Sequence, residues 1–237
     1  MRRHIQSHLC RIAVLTCTLM SLSCTAMQVP KTLQGKRLAT DSEWHLTKER
    51  DYRFGQWSVT DATRTPKKTA QMIESPLFKG EFSERVGSQY TFTLTEAGSP
   101  KYAVACATYS TRTGLRMGAM TISQDALVLG CTFGDMKTSQ QVGSLWCQMD
   151  KEGFLGTAQF ERTVFNLQSV YTTGGSAFVK PPTPYGYVAY DDIIPAAAIQ
   201  LTHDRAIWLE PALDELKKSQ LAGTIMALAY FQNIAEK

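Results

Sequence analysis

Few residues in this chain are of a type and spacing that could do covalent chemistry. Of its four histidines, His4 and His8 precede an apolar run at residues 12–22, which leaves His45 and His203 for a folded domain. His45 lies in a stretch poor in apolar residues, and His203 lies in Thr202-His203-Asp204-Arg205, a turn-like tetrad. A histidine in a tight turn is solvated and structural far more often than catalytic. No Gly-x-Ser-x-Gly elbow, His-Glu-x-x-His helix or Gly-x-x-x-x-Gly-Lys loop occurs. Gly174-Gly175-Ser176 could open a nucleophile turn, but Thr172-Thr173 before it and Pro181-Pro182 after it make it a loop. Asp191-Asp192 could act as paired carboxylates or hold Ca²⁺. Neighbours on one strand point to opposite faces, however, so a hairpin tip accounts for the pair better. Catalytic residues and cofactors are therefore not expected.

The six cysteines carry more information. Cys10 and Cys17 fall in the N-terminal segment, and Cys24 closes it. Cys106, Cys131 and Cys147 remain for the domain, so one thiol stays free if two pair. Taking Ala126 to Phe133 and Gly143 to Met149 as strands, the midpoint between Cys131 and Cys147 is Ser139, inside the polar turn that joins them. A symmetric hairpin would set Cys131 opposite Cys147, within reach of a disulfide. Cys106 with Cys131 is the competing pair, since both face inward on their strands; the hairpin argument slightly favours 131–147, with Cys106 free. No Cys-x-x-Cys is present and neither His45 nor His203 lies near a cysteine, so a metal site is not expected.

Residues 1–24 fix an expectation about destination. Arg2, Arg3 and Arg11 flank a polar start, and the apolar run from Ile12 to Leu22 follows, ending in Ser21-Leu22-Ser23-Cys24. That is the layout of a secretory signal. With 11 residues the run is shorter than the roughly 20 that cross a bilayer as a helix. Ser21-Leu22-Ser23-Cys24 resembles the lipobox of bacterial lipoproteins, in which a small residue precedes a cysteine that is lipidated and becomes the new N-terminus. Ser21 departs from the aliphatic residue usual there. The resemblance implies cleavage before Cys24, acylation of Cys24 (palmitate among the chains) and stable membrane anchoring, since several acyl chains hold where one would not. Thr25, where an aspartate would imply inner-membrane retention, implies the outer membrane. The alternative is ordinary signal cleavage, for example after Ala26, giving a soluble periplasmic or secreted protein. Arg2-Arg3 also suggests a twin-arginine signal, but the expected Phe-Leu after the pair is missing.

Charge excludes one class of partner. The chain has 25 Lys and Arg against 21 Asp and Glu. Losing Arg2, Arg3 and Arg11 leaves 22 against 21, a net charge of +1. A nucleic-acid binder would need a basic stripe. The one basic knot, Arg64 with Lys67-Lys68, sits in a Thr- and Pro-containing stretch and reads as a solvated loop. Nucleic acid is not an expected partner.

The elements that must position these residues read as β. Removal of 23 residues leaves 214, enough for one sizeable core. The expected organisation is a signal peptide at 1–23, a lipidated N-terminus and flexible tether at 24–50, and a single β-rich domain at 51–237. Tyr90-Thr91-Phe92-Thr93-Leu94 alternates apolar with Thr, the period of a half-buried strand. Glu96-Ala97-Gly98-Ser99-Pro100 turns the chain, and Tyr102 to Cys106 returns. Strands are expected at Leu115 to Ile122, Ala126 to Phe133, Gly143 to Met149, Gly156 to Glu161, Val164 to Tyr171, Tyr185 to Tyr190, Ala197 to Leu201 and Ala206 to Leu209, at the short spacing of a meander, sandwich or barrel. Trp44, Trp57, Trp146 and Trp208 are scattered, and core packing is their expected role.

The C-terminus changes character. Pro211 suits a first helical position, and a helix is expected over residues 211–235. Between Leu221 and Phe231 it carries no charge. A helix apolar on all sides must be enclosed, and this stretch is too short to cross a membrane. The expected fold is a curved or barrel-like antiparallel sheet around a hydrophobic C-terminal helix. Tyr187 to Ile234 resembles the end of the tubby-like and scramblase-like β-barrels, where a last hairpin leads through an acidic, Pro-containing turn into a helix threading the barrel. The matching segments are Ala196-Ala197-Ala198-Ile199, Ile207-Trp208-Leu209-Glu210-Pro211 and Leu221 to Phe231. The likeness implies architecture and, by analogy, lipid or membrane-surface binding; it transfers no ligand residue. The functional expectation is a cell-envelope lipoprotein facing the periplasm, a non-enzymatic binding or scaffold module with an envelope protein or lipid as ligand. The alternative is an envelope hydrolase or transferase with a site assembled from scattered residues.

Overall fold

The computed structural model describes residues 27–40, 52–65, 68–69, 73–74, 81–117, 120–149, 153–172, 184–202 and 205–235; for 68–69, 73–74, 81–86, 110–117, 120–126, 149 and 232–235 it describes the backbone alone. Strands β1 (Tyr52–Phe54), β2 (Trp57–Arg64), β3 (Lys68–Thr69), β4 (Ile73–Glu74), β5 (Glu81–Glu96), β6 (Ser99–Met117) and β7 (Met120–Asp135) come first. β8 (Gln141–Met149), β9 (Phe154–Phe160), β10 (Thr163–Val170), β11 (Gly186–Asp191), β12 (Ile194–Gln200), β13 (Ala206–Leu209) and helix α1 (Glu215–Ala235) follow. Eleven strands form one antiparallel path, β1-β2-β5-β6-β7-β8-β9-β10-β11-β12-β13, with β3 and β4 pairing on β5. The sheet curls into a nearly closed barrel around the helix, as the sequence predicts.

The alternation that marks the strands is the inside–outside alternation of the barrel wall. Tyr90, Phe92 and Leu94 face in, as do Tyr102, Val104 and Cys106 on the next strand, and Leu129, Cys131 and Phe133 on the one after. Along α1 every residue from Ser219 to Ala229 is buried. Gly223 and Ala222 let the wall come close: a carbon added at Gly223 would lie 3.3 Å from Phe133 Cε1. Tyr90 Oη donates to the Ala227 carbonyl at 2.6 Å, Phe154 stacks on Phe231 and Phe92 on Tyr230. No helix among the described residues is long and apolar enough to cross a membrane.

Three expectations need correction. The run Leu115 to Ile122 is the meeting end of two strands, which pair Leu115 with Ile122 and Met117 with Met120. The helix starts at Glu215, four residues after Pro211, because the Asp214 carboxylate accepts the Lys217 amide at 2.8 Å and caps the end. The third concerns the tether. Residues 27–40 are packed against the barrel. Met27 and Leu33 are buried with Val188 and Ala198 on the outer face of β11 and β12, which explains why those strands are apolar on both sides. Lys36 to Thr40 then bridges the gap between the sheet's ends: Arg37 pairs with Trp208 of β13, and Thr40 with Phe54 of β1. Residues 24–26 and 41–50 lie outside the described residues.

Candidate functional site

The barrel has two unlike ends. At one, the hairpin turns β5–β6, β7–β8 and β9–β10 surround the N-terminal turns of α1, and a cleft of about 300 Å³ opens between them. Its floor is made by Tyr102, on the inward face of β6, and Gln220, on the second turn of the helix. They are 2% and 6% exposed, respectively. Gln220 Oε1 is buried without a hydrogen-bond partner. Most buried polar groups are paired, so an unused one lining a small cleft is notable for what it could bind. Val142 and Leu216 add apolar wall, and Lys101, Asp135, Glu161 and Arg162 line the opening.

The electrostatics of this mouth are mixed. Glu96 accepts from Ser219 Oγ at 2.6 Å and Gln56 Nε2 at 3.2 Å, and its other oxygen pairs with Lys101 Nζ at 3.2 Å. Asp135 accepts the Thr138 and Lys137 amides, each at 2.8 Å, and the Thr138 hydroxyl at 3.2 Å. These bonds, the Thr138 amide first, hold its carboxyl below the usual range. Burial, aided by the Asp135 and Glu96 charges, pushes the Tyr102 hydroxyl up to about 12. It is thus protonated at any physiological pH and available as a donor.

The cysteines lie elsewhere in the barrel. Cys106 and Cys131 are direct cross-strand partners of β6 and β7, with Cα atoms 4.0 Å apart and sulfurs at disulfide distance, 2.09 Å. The favoured 131–147 pairing is therefore corrected in favour of its competitor. The β7–β8 ladder is centred on Thr138 and not on Ser139, which pairs Cys131 with Leu145 and Cys147 with Leu129. Cys147, rather than Cys106, is the free and buried thiol, and desolvation pushes its pKa up, away from reactivity.

No family model, curated protein or solved structure matches this chain.

The remaining sequence candidates do not converge on the cleft. Asp191 ends β11 and Asp192 begins the two-residue turn into β12 with φ 59°, so the hairpin-tip expectation describes them. Asp191 pairs with Lys217 at 2.5 Å. Among the described residues there is no group of three or more His, Cys, Asp or Glu placed to hold a metal ion. Trp57 is buried, but Trp146 is 57% exposed on the outer wall, contrary to the core expectation. Its ring lies beside Gly130 on β7, where a missing side chain leaves it room. Cys24, Trp44, His45, Gly174-Gly175-Ser176 and His203 lie outside the described residues. Sequence reading missed Tyr102 and Gln220, since each completes an apolar pattern: Tyr102 begins an inward alternation, and Gln220 directly precedes the charge-free run.

Proposed function

We propose that this chain is a cell-envelope lipoprotein, anchored at the outer membrane through Cys24, whose β-barrel domain is a non-enzymatic binding module facing the periplasm. The observation that supports it is the seating of Met27. This residue lies three positions after Cys24 and is buried against β12, its backbone N–H donating to Gln200 Oε1 at 3.0 Å. Cleavage after Ala26 would turn that nitrogen into a buried ammonium group, which is costly. Cleavage before Cys24 leaves it an amide. Gln200 ends β12 and Gly186, its partner, begins β11, so Met27 marks the end of the barrel opposite the cleft. Three residues reach at most about 10 Å, so an acylated Cys24 would hold that end on the bilayer. The mouth would then point away from the membrane, toward soluble partners. A helix filling a barrel also supports the resemblance to tubby-like and scramblase-like barrels as architecture, which carries no function by itself.

Metabolic labelling with an alkyne fatty acid tests the anchor. The wild type is expected to be marked and Cys24→Ala unmarked. Equal labelling of both, or a mature N-terminus at Met27, overturns the reading.

A further inference from the structure

We propose that the mouth cleft is a binding site for a short zwitterionic peptide, held by the Gln220 carboxamide and the Tyr102 hydroxyl. Gln220 and Tyr102 are both more than nine-tenths buried and line the same cleft, and Gln220 Oε1 has no hydrogen-bond partner. Leaving such a group unpaired costs stability. A carboxamide is matched atom for atom by another amide: one end donates while the other accepts. The Tyr102 hydroxyl supplies a further donor for a carbonyl or carboxylate.

The walls select among amide-bearing ligands. Lys101, Arg162, Asp135 and Glu161 all line the same opening. A pure anion such as a phosphate would meet two carboxylates, and a pure cation would meet two basic groups. A neutral sugar could hydrogen-bond these groups through its hydroxyls but would neutralise none of their charge. A peptide with free ends presents both signs, and Val142 and Leu216 offer small apolar contacts for its side chains. The volume, about 300 Å³, lies at the small end of ligand sites and suits two or three residues. This deepens the reading of the domain as a binding module. It does not depend on lipid at Cys24, so the two can fail separately.

Calorimetric titration of the full mature chain in detergent micelles tests it, using trialanine with free ends, trialanine blocked at both ends, and maltose. Saturable one-to-one binding of free trialanine is expected, weakened roughly tenfold by blocking its ends. Gln220→Met and Tyr102→Phe should each weaken binding by roughly tenfold, the loss of about one good hydrogen bond. Gln220→Met should also leave the melting temperature unchanged or higher, because it removes a buried amide oxygen with no partner. Absence of saturable binding, equal binding by both variants and the wild type, or tighter binding of blocked peptide or maltose overturns the proposal. Should Gln220→Met fail to fold, Tyr102→Phe decides alone.

Discussion

A carbon atom added at Gly156 would lie 2.3 Å from Cys147 Sγ and 2.4 Å from the Trp146 carbonyl. The backbone of β9 passes so close to β8 there that only glycine fits. Gly156→Ala should therefore force the strands apart and cost about 1–3 kcal/mol, read as a lower urea midpoint. The same crowding explains Cys147, which is walled in by β9 and left without a partner. Mass spectrometry of non-reduced digests, on protein from an oxidising compartment, should find Cys106 joined to Cys131 and Cys147 free. Closing that 25-residue separation should contribute about 3–4 kcal/mol by the chain-entropy account. Three free thiols would sink the pairing. That both Cys106 and Cys131 face inward was legible from alternation. Their register was not, because the β7–β8 ladder is centred on Thr138 instead of Ser139, which sets Cys147 against Leu129 and leaves no mark in composition.

Among the elements, the N-terminal segment changes the account most. Residues 36–40 close the barrel through the Leu38 amide on the Ile207 carbonyl at 2.8 Å and the Gly55 amide on the Ala39 carbonyl at 2.8 Å. Lys36 is held by Glu210. The Lys36 ammonium, followed by the Ala212 amide, lowers the Glu210 pKa. A depressed carboxyl contributes stability that is present above its ordinary pKa and lost as pH falls through the folded-state value. Acidification below the ordinary carboxylate range should thus loosen this latch first. Hydrogen exchange at the Leu38 and Leu209 amides, corrected for intrinsic rates, should speed up there relative to β6 and β7, and Glu210→Gln should flatten the dependence. An unchanged ratio would remove the latch. The strands proper were readable from their period, whereas this segment was not. Residues 27–40 bury only Met27 and Leu33 as large apolar side chains, and they close the sheet through main-chain bonds, which any sequence can make.

At the scale of the whole molecule, the helix does the work a second sheet does in a sandwich. The inward faces of β5 to β13 would otherwise enclose a void lined by rings, and α1 fills it with small and medium side chains from Ser219 to Ala229 and with Phe231. The sequence makes this legible by leaving the helix without a polar face, a feature no surface helix can sustain. The cleft was less legible, since it exists only where three hairpin turns from distant parts of the chain meet the helix. Leu228 is 1% exposed at the centre of this packing, so Leu228→Ala should cost roughly 2–5 kcal/mol through lost transfer energy and the cavity left behind. Leu228→Lys should prevent folding, because a buried charge would have no partner. Deleting 211–237 should yield insoluble material, as the ring-lined interior would then face water. A form lacking Cys24 but keeping the helix should stay soluble without detergent. If the truncated domain folded, with the helix alone holding the protein in membranes, the helix would be a second anchor. The barrel would then have to be stable around an empty interior, against the close packing that α1 makes with β5, β6, β11 and β12.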